Sequence, residues 1–231
     1  METSRNLHHD NWFEGPLGAR VLREEAALAP AALDDVFGFE LVQVGAWGPA
    51  RHWLDGARTQ HTTLVASEPF PGVTVCSALE SLPFRSDSID AVFLPHTLEL
   101  VEDPYAVLRE AERVLTGEGC LIICGFNPFS GWGARRLFAR YFGRAVFPPG
   151  TRRMLSERRL RDWVALLGFD VDSVHGYLGP RAPLTAGAYL LKARKRVHTL
   201  TMVRPRRRIR QRVLVGAAEP TTKVPTRKIS P

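Results

Sequence analysis

Few residues in this 231-residue chain are of types that do chemistry near neutral pH, and their spacing limits what they can do. His96, in the segment LPHTLE, follows an apolar run, where it can act as a general base or cap and pack the next turn. Asn127, in GFNPFS, carries an amide able to hold an acceptor hydroxyl or amine, and before Pro128 it also suits a turn. Trp132, Arg135 and Arg136 stand together after the last central apolar run. A basic, aromatic cap at that point would favour an anionic acceptor; an amphipathic helix with a solvated Arg face is the other reading. Cys120 and Cys124 share a face of one apolar run with no His cluster nearby. With Cys76 they read as buried packing residues, neither nucleophiles nor metal ligands, and no metal site is expected.

The elements that must position these groups follow from hydrophobic period. Apolar runs at 39–45 (FELVQVG), 62–66 (TTLVA), 73–76 (VTVC), 89–94 (IDAVFL) and 120–126 (CLIICGF) have the length and composition of strands buried on both faces. Between the last two, the segment 104–115 (PYAVLREAERVL) places Val107, Leu108, Ala111, Val114 and Leu115 on one helical face. Asp103 is set to cap it, Pro104 suits its first turn and Gly117 follows its end. Strand, helix, strand in that order is a parallel crossover unit. Further helices are expected at 17–29, closed by Pro30, at 133–142, and at 156–167 with Ser156 as cap and Gly168 as stop. The runs at 169–174 and 188–192 are joined by a Gly/Pro-rich loop with no helix, so they should pair antiparallel.

The fold class is therefore α/β, a doubly wound, mostly parallel sheet with an antiparallel edge strand. Between Ala66 and Val73 lie only six residues, whereas a parallel crossover takes about a dozen or more. The helix between the second and third strands should be missing, so that either 73–76 is not a parallel neighbour of 62–66 or one of the two is not a strand.

Charge divides the chain. From Lys192 onward there are 13 Lys and Arg against one acid; the remaining 18 basic and 23 acidic residues give the body a net −5, although the whole chain is +7. The expected organisation is a leader and helix over 1–35, a domain over 36–194 with a helical cap insertion near 128–150, and a basic, flexible tail over 195–231. Residues 192–212 could hold a nucleic-acid backbone through phosphate contacts, or serve only as a solubilising tail. With no apolar stretch long enough to span a bilayer, no apolar leader and three cysteines, the cytoplasm is the expected compartment.

The span 77–126 carries an arrangement that resembles the class I S-adenosylmethionine-dependent methyltransferases, the type 11 family in particular. Ala78–Phe84 (ALESLPF) resembles that family's segment ending in Leu-Pro-Phe, Ser88–Val92 (SIDAV) its Ser-Phe-Asp-x-Val strand, and Arg113–Gly119 (RVLTGEG) its Arg-Val-Leu-x-Pro-Gly-Gly turn, with Glu118 where Gly is usual. The resemblance implies a Rossmann-like fold over residues 36–194, S-adenosylmethionine as cofactor and a small-molecule methyl acceptor. It also implies a cofactor site outside the carboxyl ends of the strands. There the family's acidic, glycine-rich loop falls on Gln43, Val44, Gly45, Ala46, Trp47, Gly48 and Pro49, where Gln43 stands for the acid and Trp47 and Pro49 for glycines. Trp47 could stack on the cofactor or fill its pocket.

The resemblance further implies that Glu68 meets the ribose, that Ser77 and the Ala78 amide approach the adenine, and that Leu79 packs on its face. Leu94, Pro95 and His96 would line the mouth. The altered loop keeps a non-catalytic binding or scaffold protein of this fold as an alternative, and the basic tail keeps an RNA-directed methyltransferase as another.

Overall fold

Runs rich in Val, Ile and Leu form strands when helices cover both faces, and in this chain they assemble into one sheet. A computed structural model describes residues 12–49, 53–134, 147–148, 150–179 and 185–196. The elements, in chain order, are α1 (Pro16–Leu33), β1 (Glu40–Val44), β2 (His61–Ala66), β3 (Val75–Cys76), β4 (Ile89–Pro95), a single turn α2 (Thr97–Leu100), α3 (Pro104–Val114), β5 (Leu115–Phe126), α4 (Glu157–Leu166), β6 (Phe169–Tyr177) and β7 (Ala188–Lys195). The sheet order is β3-β2-β1-β4-β5-β7-β6. β1 to β5 pair in parallel, and β7 runs against both β5 and β6.

Strand alternation divides the core into two layers. On β5, Cys120, Ile122, Cys124 and Phe126 enter the layer that holds Val21, Ala29 and Leu33 of α1. Leu121 and Ile123 enter the opposite layer, with Val107, Leu108 and Ala111 of α3 and Leu160 and Val164 of α4. The caps read from sequence are in place. The Asp103 carboxylate accepts from the amides of Tyr105 (3.0 Å) and Ala106 (3.1 Å), the Ser156 hydroxyl accepts from that of Arg159, and Gly168 follows α4 with φ +84°.

Four expectations need correction. The first helix does not stop at Pro30; α1 continues to Leu33 with Pro30 inside it. A proline removes one amide donor, but Ala29, Ala32 and Leu33 are buried against the sheet and hold the last turn in place. The helix between β2 and β3 is indeed absent, yet the two strands are parallel neighbours, with Val65 opposite Val75 and Ala66 opposite Cys76. A strand of two residues obliges the chain to descend only about 7 Å before it pairs, and the turn closed by the Val73 amide on the Phe70 carbonyl (3.0 Å) suffices. Cys76, on that short edge strand, is exposed, whereas Cys120 and Cys124 are buried. Finally, β6 and β7 each extend three residues beyond the apolar runs, β7 through Ala193, Arg194 and Lys195.

The helix expected at 133–142 lies outside the described residues from 135 on; residues 131–134 are helical. The leader before residue 12 and the basic tail after 196 also lie outside them.

Candidate functional site

β1 ends in a turn that must bring backbone close to β4. Gly45 has φ +96°, and its amide donates to the Val65 carbonyl (2.8 Å). A Cβ on it would come within 2.5 Å of the Thr97 hydroxyl, so only glycine fits. Thr97 in turn donates to the Val44 carbonyl, tying the start of α2 to the end of β1. Gly48, with φ +58°, lies directly beneath Leu22 of α1.

This loop forms one wall of a cleft of about 250 Å³ at the carboxyl ends of β1, β2 and β4. Ala66, Ser67, Glu68 and Phe70 continue it beyond β2, Leu79 closes one side, and Thr97, Leu100, Val101 and Arg152 form the other. Glu68 is half-buried, and its carboxylate has no hydrogen-bond or ion-pair partner among the described residues. Arg152 reaches the Glu102 carboxylate (3.1 Å) from the opposite side.

Trp47, in the middle of the loop, is 1% exposed. Its indole turns inward and donates from Nε1 to Glu25 Oε2 of α1 (3.0 Å). It stacks on His96, with ring centroids 4.2 Å apart and planes 26° from parallel. His96 has a left-handed backbone (φ +52°) that swings its ring into the core. Nδ1 meets Glu99 Oε2 at 3.0 Å and Nε2 meets Glu25 Oε1 at 2.7 Å; the Tyr177 hydroxyl also donates to Glu25 Oε1 (2.7 Å). Burial alone would pull the His96 pKa down, but the charges and hydrogen bonds of Glu25 and Glu99 outweigh it and hold it at about 9. The ring is an imidazolium clasped by two buried carboxylates. Burial pushes the Cys120 thiol up to about 11 and the Cys124 thiol well above the ordinary range, so neither is a thiolate at neutral pH.

Residues 52–123 match the family model described as a methyltransferase domain. The chain is also 34% identical over 197 residues to the uncharacterized protein YafS of Escherichia coli (strain K12), covering 79% of this chain and 80% of that one. The chain belongs to the type 11 family of class I methyltransferases. A SAM-dependent methyltransferase of Thermotoga maritima shares its fold, with a TM-score of 0.55 at 19% identity over 80% of this chain and 93% of that chain. So does geranyl diphosphate methyltransferase, solved in complex with SAM, with a TM-score of 0.56 at 18% identity over 78% and 89%. The protein is a SAM-dependent methyltransferase, and S-adenosylmethionine is its cofactor.

The cleft of this methyltransferase fits that cofactor. It offers an unpartnered carboxylate at Glu68, apolar surface at Leu79 and Phe70, and a glycine-containing loop whose bulky member points away. Of the residues nominated from sequence, Gly45, Ala46, Trp47, Glu68 and Leu79 line it. The others are placed differently. Gln43 is fully buried; its Nε2 donates to the Gly45 carbonyl (3.0 Å), and its Oε1 has no partner among the described residues. The Ser77 hydroxyl is spent on the Ser81 carbonyl (2.9 Å), Ala78 is exposed beyond the cleft, and Leu94 and Pro95 are buried in the sheet.

His96 is not at the mouth but fully buried behind Trp47, because two carboxylates draw it inward. Both of its nitrogens are occupied, so a general-base role is excluded by geometry. Asn127 serves its turn: Nδ2 donates to the Ala186 carbonyl (3.1 Å), and Oδ1 accepts from the Phe129 amide (3.0 Å). Trp132 packs against the core near Phe147, 6.5 Å between ring centroids. Arg135 and Arg136 lie outside the described residues.

Sequence reasoning missed Glu25, Glu99, Thr97 and Arg152. Two of these carried a signal. Glu25 interrupts the apolar stripe Val21, Ala29, Ala32 of α1 at helical spacing, and Glu99 stands three residues after His96, on the same side of a helical turn. A charge on the buried face of an amphipathic helix needs a buried partner.

Proposed function

We propose that this methyltransferase acts on a small-molecule acceptor held in the outer part of the cleft, against Leu100, Val101 and Arg152. S-adenosylmethionine, when bound, supplies a methyl group on a sulfonium sulfur, a strong electrophile. Displacement at that carbon requires the acceptor in line with the departing sulfur, so positioning carries most of the rate and no dedicated acid–base pair is needed. Among the described residues that line the cleft there is no histidine or cysteine, which is consistent with that chemistry.

In this reading Glu68 accepts from the ribose hydroxyls, Leu79 covers the adenine face and the Gly45–Ala46 backbone borders the amino-acid portion. The observation that carries it is the Glu68 carboxylate, placed on the lip of the cleft with no partner among the described residues. A small acceptor accords with the confined outer part of the cleft between Leu100, Val101 and Arg152. Three unpaired cysteines suit a reducing compartment, and the cytoplasm is the proposed location.

Calorimetric titration with S-adenosylhomocysteine tests the assignment. Glu68→Ala should weaken binding at least tenfold, since two hydrogen bonds to a charged acceptor are lost, while leaving the melting temperature of the free protein within about 2 °C of wild type. Equal affinities for wild type and variant would contradict the reading.

A further inference from the structure

Trp47 poses a problem that its own surroundings solve. Its neighbours Ala46 and Gly48 face the cleft, and an indole rotated outward at this position would occupy the space between them and Leu79. In the structure it is instead held from several sides. Glu25 takes its N–H, His96 lies flat against one face, and Phe13 stands edge-on at 4.9 Å with an interplanar angle of 90°. Phe126 packs from the sheet side, 6.2 Å away. An imidazolium against an indole face adds a cation–π attraction in a dry environment.

We propose that Glu25 and His96 are positioning residues for the cofactor: they seat the Trp47 indole in the core and so keep the cleft open at a loop position where the type 11 pattern carries glycine. The proposal rests on the cofactor occupying this cleft.

The geometry gives each residue a separate task. Glu25 spends Oε2 on the indole and Oε1 on His96 and Tyr177, so one carboxylate ties α1, the loop after β1, the turn after β4 and the end of β6 together. His96 presents its ring face to Trp47 because its edges are fixed by Glu25 on one side and Glu99 on the other. Glu99 is anchored by the Phe126 amide, which donates to its Oε1. The groups around His96 that titrate or carry charge are Glu25 of α1, Glu99 of α2, Tyr177 of β6 and, behind Tyr177, Cys124 of β5. Leu22 completes the seat by packing over Gly48, so α1 closes the back of the loop.

A purely structural role would make Glu25 matter regardless of what stands at position 47; a positioning role would make it matter only while the indole is present. The test is a double-mutant cycle read by the affinity for S-adenosylhomocysteine. Glu25→Gln should weaken binding at least tenfold, because the indole is no longer retained. In the Trp47→Gly background, whatever its own affinity, adding Glu25→Gln should change that affinity by less than threefold. The same tenfold loss in both backgrounds would overturn the proposal.

Should Glu25→Gln fail to fold, the wild-type protein supplies a second readout. The Trp47 indole N–H, assigned by its absence from the spectrum of Trp47→Phe, should exchange with solvent at least 100-fold more slowly than a free indole, with and without S-adenosylhomocysteine. Fast exchange in the free protein would overturn the proposal. A wild type that shows a protected indole and no binding at all would instead overturn the cofactor assignment of the cleft, and with it the role proposed for Glu25 and His96.

Discussion

His96 shows how far a residue's type alone underdetermines its role. In sequence it is a histidine after a strand, open to a general-base role at a pocket mouth or to capping and packing the next turn. In the fold it is a buried cation, and its charge makes stability depend on pH in a definite direction. Its pKa rises from an ordinary 6.5 to about 9 on folding. The folded state therefore binds the proton more tightly, and this contribution is complete below about pH 6.5 and is lost as pH rises toward 9. Between pH 6.5 and 8, below the range where the buried thiols titrate, the loss should be about 1.5 kcal/mol. Urea unfolding at the two pH values measures it, and a flat or rising stability across this interval would contradict the charged state. What sequence could not show here was distance: the partner Glu25 is 71 residues away, and only the packing of α1 on the sheet brings it to 2.7 Å.

At the scale of elements, the most legible parts are those whose signals are local. The helix at 104–115 has its cap, its apolar stripe and its stop within a dozen residues, and α3 spans Pro104–Val114 with Asp103 capping as read. The β2–β3 connection was half legible. Six residues exclude a crossover helix, but whether two strands pair depends on how far the second one runs, and β3 runs for only two residues. Pro30 misled because the rule that proline ends a helix is local, whereas the burial of Ala32 and Leu33 that overrides it is tertiary. The turn into the paired part of β5 carries a testable consequence. Glu118 stands where the motif this turn resembles carries glycine, and its backbone is left-handed at φ +66°. A side chain in that region is strained, so Glu118→Gly should stabilise the protein by about 0.5–1 kcal/mol after allowing for the added freedom of the unfolded chain. Thermal unfolding should show a rise of roughly 2–3 °C. A fall would mean that the Glu118 side chain contributes more than the strain costs.

For the whole molecule, the fold class and the family were readable because three short motifs fall in sequence on elements predicted independently. The condition of the cofactor site was not. The loop written Gln43-Val44-Gly45-Ala46-Trp47-Gly48-Pro49 departs from the pattern it resembles, and sequence left Trp47 able to stack on the cofactor or to fill its pocket; the inward-turned indole does neither. The answer lies in α1, which falls outside the family-matched segment 52–123 yet supplies Glu25 to the indole and Leu22 to the loop. Substitution in the loop and a receiving site on a distant helix form one unit. A domain boundary drawn at the start of the matched segment would part Glu25 and Trp47 from His96 and Glu99.

The measurement that tests this account most directly is a crystal structure of the wild-type protein with S-adenosylhomocysteine. The account predicts the ribose hydroxyls on the Glu68 carboxylate, the adenine against Leu79 and the Trp47 indole still on Glu25 and His96. An indole occupying the cleft, or the nucleoside bound away from Glu68, would contradict it.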